Sequence, residues 1–247
     1  MTGTALLTPN WPAPAGVRAL TTLRGGGFSG QSYRSLNLGG HVGDEPAAVA
    51  ANRTRLIELA DLPAEPVWLR QVHGTRVVEL DVESVEGQKA DAVVTSADDV
   101  VCAVLTADCL PVLLTDRAGQ RVAVAHAGWR GLARGILTGV VEAMGKAPDD
   151  LMAWLGPCIG PAGFEIGPEV RAALLEADAG AVDTFRQGRG DRWHADLPAL
   201  AERRLRQAGV RHIFHCGLCT WSEPLRFFSH RRDGVCGRMG TLIWRQK

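Results

Sequence analysis

The alternation of apolar and polar residues divides the chain into strands and helices that follow one another in mixed order. Short apolar runs predict buried strands, and apolar residues three or four positions apart predict helices that cover a sheet. Strands are predicted at residues 17–23, 67–72, 76–80, 90–95, 100–106, 111–115, 121–125, 151–155, 212–215, 225–229 and 239–244. Helices are predicted directly after Asp44-Glu45-Pro46 and at residues 131–144, 168–176 and 197–208.

This order of elements indicates an α/β protein with a single domain. No repeat, low-complexity segment or linker separates one part of the chain from another, so residues 17–247 are predicted to share one core. Residues 1–16 are rich in proline and small residues and are predicted to be a flexible N-terminal arm. The glycine-rich segment at residues 24–46 predicts a long loop, and long loops inside compact domains are often functional.

Residues 67–80 are predicted to form a hairpin, because Gly74 interrupts two apolar runs of strand character. His73 would lie at the apex of this hairpin or in a bulge. Two further residues that bind transition metals, Cys109 and His126, end other apolar runs close to a proline or a glycine. A sheet presents side chains at such strand ends to a pocket, so the three residues are candidates for one site.

The chemistry of these three residues fits zinc. Zinc accepts imidazole nitrogen and thiolate sulfur, and catalytic zinc sites combine three protein ligands with one open position. A Cys-His-His set therefore fits a catalytic zinc better than a closed structural one. Two alternatives stay open, because the residues are far apart in sequence. Cys109 is a buried thiol with both histidines in ordinary loops, or Cys109 is a nucleophile activated by a nearby histidine.

Composition and charge limit the classes of partner. Lysine plus arginine and aspartate plus glutamate are both 27, so the net charge is zero, and neither a nucleic-acid nor a membrane partner is indicated. The first residues lack the features of a signal peptide, and no apolar run reaches the ~18 residues that span a bilayer. We therefore expect a cytoplasmic protein whose six cysteines are reduced thiols or metal ligands rather than disulfides.

Three further features have both a functional and a plain structural interpretation. Arg130 stands at a strand-to-helix turn, where helix N–H groups and a guanidinium bind phosphate, or where an arginine simply faces solvent. Cys216 and Cys219 form a CxxC pair that fits structural zinc or redox chemistry less well than packed thiols, because no second tight pair completes it. The tail carries four arginines that suit either an anionic substrate or a solvated rim: Arg226, Arg231, Arg232 and Arg238.

Copper oxidation is a further candidate, because a cysteine and two histidines also form part of a blue-copper site. A multicopper oxidase needs many more histidines for its oxygen-reducing cluster, whereas this chain has 7 and contains no HxH pair. The sequence therefore argues against a self-sufficient laccase.

With these residues in view, the sequence resembles the YfiH-like family, whose members are called laccase-domain or polyphenol-oxidase proteins and also purine nucleoside phosphorylases. The resemblance runs from about Arg24 to Trp244 and covers nearly the whole chain. It rests on Asn52-Arg53 and on the segments SLNLGGHVGD, QVHG, ADAVVT, LTADCLPVLL, HAGWRGLARGIL, GPCIGPAGFEIGPEV, CTW, FFSHRRDG and GRMGTLIW.

The resemblance implies a single-domain αββα sandwich with mixed sheets that holds one zinc ion, with copper possible in vitro. By motif the metal ligands fall on His73, Cys109 and His126. The implied activity is phosphorolysis of adenosine, inosine, guanosine and methylthioadenosine to the free base and ribose 1-phosphate. Deamination of adenosine is implied beside it.

Within that activity, Cys109, His126 and Arg130 are expected to be catalytic, and Asn37, Arg53 and Arg130 are expected to bind purine nucleosides and phosphate. No side chain emerges as the general acid for N7 of the purine. The protein is expected to be a monomer or a weak homo-oligomer. The alternatives are a hydrolase that edits peptidoglycan precursors by removing UDP-muramoyl-serine, a copper-dependent polyphenol oxidase, and a non-enzymatic metal-binding protein.

Overall fold

A computed structural model describes residues 5–246 of the chain, and residues 1–4 of the expected arm lie outside the described residues. The strands are β1 (Leu6–Leu7), β2 (Val17–Thr22), β3 (Val77–Leu80), β4 (Ala92–Thr95), β5 (Cys102–Thr106), β6 (Leu110–Asp116), β7 (Val122–Ala127), β8 (Leu151–Leu155), β9 (Glu165–Ile166), β10 (Phe185–Gln187), β11 (Trp193–Ala195), β12 (His212–His215) and β13 (Met239–Arg245). The helices are α1 (Pro46–Ala60), α2 (Trp129–Arg134), α3 (Ile136–Ala143), α4 (Pro168–Ala177), α5 (Leu197–Gln207) and α6 (His230–Asp233). Short 3₁₀ turns cover Gln31–Tyr33, Pro148–Asp150 and Ala179–Thr184.

Two sheets stack face to face at the centre of the protein. The larger sheet has the strand order β12-β8-β6-β7-β4-β3 and mixes parallel with antiparallel pairs. The smaller sheet, β1-β2-β13-β5, is antiparallel. Because successive side chains on a strand point to opposite faces, Leu113 and Val124 of the larger sheet pack between the sheets with Val104 and Ile243 of the smaller one.

Helices cover the outer face of each sheet. Val112 and Ala125, which alternate with the inward residues of the larger sheet, share a core with residues of α2, α3, α4 and α5. On the other side, Leu56 of α1 packs with Leu242 and Trp244 of the smaller sheet. The layers are therefore helix, sheet, sheet and helix, which confirms the α/β class and the predicted αββα sandwich with mixed sheets. A third, small sheet has the order β10-β11-β9.

Local signals place several helix ends where the sequence predicts them. α1 begins at Pro46, and Asp196 caps α5 by accepting a hydrogen bond from Ala199 N at 3.0 Å. The predicted helix at residues 131–144 is instead two helices, because Gly135 adopts a left-handed conformation with φ of 90° between α2 and α3. Within residues 5–246 no helix combines the length and the apolar character needed to cross a membrane.

The predicted hairpin at residues 67–80 is wrong. β3 pairs in parallel with β4, and the segment before it makes isolated bridges, Val67 to Cys102 and Arg70 to Lys89. Backbone N–H groups at residues 72–74 donate to the Asp91 carboxylate rather than to an opposing strand. A buried carboxylate thus takes the place of a partner strand, and the backbone is free to turn at this point.

Residues 225–229, which were predicted to be a strand, form turns and irregular backbone. Phe227 N donates to Glu223 O at 3.1 Å, and Phe228 N lies 3.2 Å from Met239 Sδ. Both phenylalanine side chains are fully buried in a small cluster that includes Met239. The apolar residues that suggested a strand therefore fill a satellite core.

The described part of the expected arm lies against the sheets. β1 pairs antiparallel with β2, and Trp11 packs against the core between the two sheets. The indole N–H of Trp154 donates to Asn10 Oδ1 at 2.9 Å. The domain boundary at residue 16 stays a prediction.

Candidate metal centre

His73, Cys109 and His126 meet in the structure although they are far apart in sequence. His73 precedes β3, Cys109 lies in the turn between β5 and β6, and His126 lies in β7. The antiparallel register of β6 and β7 sets Pro111 opposite His126, which brings Cys109 to the same end of the sheet. The candidate ligand atoms of the three side chains lie within 4.8 Å of one another.

The distances within this group suit one shared ion. Cys109 Sγ lies 3.9 Å from His73 Nε2, and the rings of His73 and His126 meet edge to face with centroids 4.7 Å apart. Within residues 5–246 this is the one group of three or more His, Cys, Asp or Glu side chains that can hold an ion. Thiolate and imidazole are ligands of transition metals such as zinc and copper. The donor set therefore fits a single transition-metal ion.

Asp91 holds two of the three residues in place. Its fully buried carboxylate accepts hydrogen bonds from the backbone N–H groups of Val72 at 3.1 Å, His73 at 2.9 Å and Gly74 at 2.7 Å. It also accepts from His126 Nδ1 at 2.9 Å, which leaves Nε2 of His126 for a metal. His73 has a left-handed backbone, with φ of 57°, and the carboxylate stabilises that uncommon conformation.

Sequence reasoning missed Asp91. It stands inside the apolar run at residues 90–95, where every residue before Ser96 is buried. A buried charge needs partners, so a lone aspartate in such a run was the available signal. What the sequence does not reveal is that its partners are three consecutive backbone N–H groups and a histidine.

The electrostatics of the cluster favour the thiolate of Cys109. Burial alone would raise the pKa of this thiol, but the neighbouring His126 and His73 imidazoles lower it below its usual range. Burial likewise works against a charged His126, while Cys109 and Asp91 raise the pKa of its ring. Burial would also raise the pKa of Asp91, yet hydrogen bonds from His126 and from backbone N–H groups lower it to about 2. The thiolate is the form of cysteine that binds metals.

Gly128 lets the cysteine and the first histidine approach each other. A Cβ atom at this position would lie 3.0 Å from Cys109 Sγ and 3.2 Å from His73 Cδ2. A side chain here would therefore push on two candidate ligands at once. Gly131, one helical turn later, packs in the same way against Gly74 O, at 3.3 Å from its would-be Cβ. The glycines after His126 thus serve close packing against the residues around the centre.

Two of the candidate ligands, His73 and Cys109, line a cavity of about 180 Å³, which we call the His–Cys cavity. Its walls include His73, Cys109, Trp129, Phe164 and Leu197. Aromatic and aliphatic walls with a few convergent polar groups are typical of small-molecule sites.

Asp108 joins the C-terminal segment to this cavity. Its carboxylate accepts from Thr220 Oγ1 and from Arg231 N, both at 2.7 Å. Its backbone is left-handed, with φ of 92°, directly before Cys109. Strained residues of this kind concentrate at functional sites, and here the strain turns the carboxylate towards the tail rather than towards the thiol.

Arg130 is the candidate substrate residue that the structure brings to the cavity. It lies in the first turn of α2, is exposed, and lines the His–Cys cavity. Its guanidinium stacks over the Trp129 ring at 4.4 Å from the centroid. No carboxylate within residues 5–246 forms an ion pair with it.

Asn37 and Arg53 do not line the His–Cys cavity. The buried amide of Asn37 accepts from Gly39 N at 2.9 Å and donates to Asp44 Oδ2 at 2.9 Å. Arg53 donates to Leu38 O at 3.3 Å. Both residues stabilise the glycine-rich loop, and direct contacts between them and a substrate stay a prediction.

The tail arginines mainly form ion pairs and hydrogen bonds within the protein. Two form ion pairs and two bond to backbone carbonyls, in contacts of 2.7–2.8 Å: Arg226 to Glu223, Arg232 to Asp233, Arg231 to Glu165 O and Arg238 to Cys236 O. These contacts fit the structural interpretation of the cluster better than the anion-binding one.

Together, the αββα sandwich and the cluster of one thiol and two imidazoles define a mixed α/β protein with a candidate metal centre at a strand end. The chain belongs to the multi-copper polyphenol oxidoreductase laccase family, whose model matches residues 18–246. The membership in the YfiH-like family that the sequence motifs indicated is thereby confirmed.

Curated relatives and solved structures agree with this assignment over nearly the whole chain. Purine nucleoside phosphorylase YfiH of Escherichia coli is 49% identical over 239 residues, which are 97% of this chain and 98% of that protein. A purine nucleoside phosphorylase of Pseudomonas aeruginosa is 49% identical over 243 residues, covering 98% and 99% of the two chains. The crystal structure of a Neisseria meningitidis protein of the DUF152 group superposes with a TM-score of 0.93 at 45% identity, covering 98% and 100%. A Bacillus licheniformis YfiH structure gives a TM-score of 0.91 at 28% identity, covering 99% and 97%.

Proposed function

We propose that this protein is a zinc-dependent purine nucleoside phosphorylase that also deaminates adenosine. The observation that carries the proposal is the meeting of His73, Cys109 and His126 in one cluster, of which His73 and Cys109 line a cavity that Arg130 also lines. The names of relatives that are 49% identical support the same activity. A single three-residue group supports one bound ion rather than the several that a multicopper oxidase needs.

Zinc is the proposed metal because its preferred ligands match the group. Cys109 would enter as a thiolate, and His126 would use Nε2 because Nδ1 is bound to Asp91. His73 would use the Nε2 that already lies near the thiol. Three protein ligands leave one position open, and an ion held there would supply a Lewis acid beside the substrate.

The walls of the cavity suit a purine base. Trp129 and Phe164 are aromatic neighbours for a flat ring, and Leu197 adds an aliphatic surface that excludes water. The cavity, at about 180 Å³, is smaller than typical sites for drug-sized ligands, which begin at roughly 300 Å³. We therefore place the base inside the cavity and the ribose with its phosphate partner towards the opening.

Arg130 is the proposed phosphate-binding residue. Its guanidinium is planar, permanently charged and suited to bidentate contact with an oxyanion. We expect Arg130→Ala to raise the KM for phosphate, because the charge that orients the nucleophile is lost, while Arg130→Lys retains part of the effect. An unchanged phosphate KM in Arg130→Ala would remove the residue from this role.

Asn37 and Arg53 are proposed to act from the glycine-rich loop. Arg53 lines a neighbouring groove together with His41, and a nucleoside that extends beyond the cavity would contact that groove. Asn37 would act indirectly, by stabilising the loop conformation. We expect the enzyme to work in the cytoplasm on free nucleosides, as a monomer or weak homo-oligomer.

One experiment tests the proposed activity. Protein purified without chelators is analysed for bound metal and then incubated with adenosine, with and without phosphate. Adenine and ribose 1-phosphate, formed only when phosphate is present, report phosphorolysis, and inosine formed without phosphate reports deamination. Cys109→Ala should lose both activities together with the metal. A metal-loaded protein that makes neither product contradicts the proposal and favours the hydrolase or non-enzymatic alternatives.

A further inference from the structure

His230 lines the His–Cys cavity, and the proposed metal centre does not use it. It begins the short helix α6, is exposed, and shares the cavity wall with His73 and Cys109. The sequence offers no general acid for the purine, and a second histidine in the wall of the cavity, beside His73, is a candidate for that task.

Its neighbours hold the His230 backbone in place. Ser229 caps α6 by accepting from Arg232 N at 3.2 Å, and Arg231 N donates to Asp108 Oδ2 at 2.7 Å. The Arg231 guanidinium also donates to Glu165 O at 2.7 Å. These contacts join α6 to the strained turn that carries Cys109, so the histidine and the metal centre belong to one rigid frame.

One nitrogen of the His230 ring is occupied and the other is available. Nδ1 lies 2.6 Å from Gly234 O, and a carbonyl oxygen can only accept, so Nδ1 carries a hydrogen. Nε2 lies on the opposite side of the ring, and no side chain or backbone group of residues 5–246 bonds to it. The anchored ring therefore offers Nε2 to a bound molecule.

The other polar groups of the cavity cannot give up a proton readily. Both oxygens of Asp108 accept hydrogen bonds, from Thr220 and from Arg231. A guanidinium group does not serve as a proton donor in proteins, which leaves out Arg130 and Arg231. His73 and Cys109 are the proposed metal ligands. Imidazole exchanges protons near neutral pH, and by this elimination His230 is the group left to do so.

We propose that His230 gives a proton to N7 of the purine as the base leaves, an inference that rests on the proposed phosphorylase activity. In this step the bond from C1′ to N9 breaks and its electron pair moves into the purine ring. The step starts from the imidazolium form of His230, in which Nε2 carries a hydrogen as well as Nδ1. The Nε2 proton goes to N7, and a phosphate oxygen forms the new bond to C1′. The neutral imidazole then takes a proton back from the hydroxyl of the transferred phosphate group, which restores the starting state.

The test compares two substrates that differ in their need for this proton. Inosine needs a proton at N7 when its base leaves, whereas 7-methylinosine already carries a positive charge on that ring and needs none. Two variants are used. His230→Gln removes the imidazole, and His230→Asn keeps a donor close to the position of Nδ1, so that the contact with Gly234 O is preserved. The matched control is His212→Gln, which replaces an exposed histidine of β12.

We expect kcat on inosine to fall about 10²–10⁴-fold in both His230 variants, as is usual when a general acid is removed. The kcat on 7-methylinosine, the KM for phosphate, the metal content and the Tm should stay close to those of the wild type. His212→Gln should match the wild type on both substrates.

Two further outcomes distinguish a failure of the His230 role from a failure of the proposed phosphorylase activity. If the wild type is active and the His230 variants lose both substrates equally, or neither, His230 is not the proton donor and the phosphorylase assignment stands. If the wild type releases no ribose 1-phosphate from either nucleoside, the proposed function fails and the role of His230 fails with it.

Discussion

Two cavities in the described part of the chain, residues 5–246, are lined by cysteines, and they differ in what surrounds the sulfur. The His–Cys cavity sets Cys109 between two imidazoles. The second, which we call the thiol cavity, has a volume of about 310 Å³ and is lined by Cys158, Cys216 and Cys219. By cysteine count the thiol cavity offers more sulfur atoms, although its CxxC spacing fits packed thiols better than a metal.

The surroundings of the sulfur atoms likewise favour packed thiols in the thiol cavity. Burial raises the pKa of Cys216 to about 11 and that of Cys158 well above its usual range, so both favour the neutral thiol. At Cys219 burial also opposes the charge, but hydrogen bonds lower the pKa, among them one from Gly160 N at 3.1 Å. The histidine that lines this cavity, His215, makes a hydrogen bond from Nε2 to Glu202 Oε2 at 2.8 Å.

The difference shows what makes a cysteine a metal ligand. In the thiol cavity the sulfur atoms are satisfied by backbone groups, as Leu218 N donates to Cys216 Sγ at 3.4 Å. In the His–Cys cavity, the imidazoles that stabilise the thiolate are also the other candidate ligands. Proximity of nitrogen donors, set by the fold, outweighs proximity of cysteines in sequence.

Replacing the cysteines of the two cavities should produce the largest difference in bound metal. We expect Cys109→Ala to lose its bound metal almost completely, because two imidazoles alone bind zinc weakly. The double variant Cys216→Ala and Cys219→Ala should keep the metal content of the wild type. Elemental analysis after dialysis measures both. Metal retained in Cys109→Ala but lost in the double variant would move the centre to the thiol cavity.

Asp91 tests whether the His–Cys cavity is preorganised. Asp91→Asn leaves one acceptor oxygen for four donors and weakens the hold on both histidines. We expect the zinc affinity, measured by competition with a chelator, to fall about 10–100-fold, as for other residues that support metal ligands. Asp116 is a matched control, since it is also buried and accepts from Arg121 N at 2.6 Å. Asp116→Asn should lower stability without changing zinc affinity; equal losses of affinity in the two variants would refute the specific role of Asp91.

Gly128→Ala tests the preorganisation of the His–Cys cavity through packing alone. The new methyl group would meet Cys109 Sγ at 3.0 Å and His73 Cδ2 at 3.2 Å, so either the ligands or the backbone must move. We expect a cost of about 1–3 kcal/mol, seen as weaker zinc binding or a lower free energy of unfolding. Gly139→Ala in α3 is the control, because its Cβ would come no closer than 3.7 Å to any neighbour. That change should be neutral or slightly stabilising, and an equally mild Gly128→Ala would count against tight packing of Gly128 on Cys109 and His73.

The smallest expected effect concerns α5, which contributes to both cavities. Asp178 accepts from Arg203 of α5 at 2.7 and 3.0 Å, and this contact lowers the pKa of Asp178. A lowered pKa stabilises the fold at pH values above about 4, where the unfolded aspartate is charged, and the effect disappears as pH falls through the lower folded value. We expect Asp178→Asn to cost roughly 1 kcal/mol near neutral pH, a modest value because Arg203 is partly exposed.

The difference in Tm between Asp178→Asn and the wild type should therefore shrink as the pH is lowered. Thermal unfolding followed by circular dichroism across that range measures it. A difference that stays constant or grows towards acid pH would mean that the ion pair is not its source.

Much of the fold follows from apolar periodicity. β8 and the start of α5 lie where the pattern predicts them, because a buried strand and a capped amphipathic helix have strong local signals. The hairpin at residues 67–80 could not be excluded in this way, since the acceptor that replaces its partner strand is a side chain 17 residues beyond Gly74. Long-range hydrogen bonds of this kind leave no periodic trace in the sequence.

The residues of the candidate site were likewise predictable only in part. Residue type and strand-end position are enough to nominate His73, Cys109 and His126, and the structure brings them together. The positions of Asp91 and His230 depend on contacts made by loops, so the sequence does not assign them roles. Asn37 is conspicuous in a glycine-rich loop, but its amide is engaged within that loop.

X-ray absorption at the metal edge of the purified protein is the most direct measurement of the central claim. We predict zinc bound by one sulfur at about 2.3 Å and by two imidazole nitrogens at about 2.0–2.1 Å, with a light atom in the remaining position. The same measurement on Cys109→Ala should show no such centre. A sulfur-rich signal from two or more thiolates would place the metal in the thiol cavity and contradict the account.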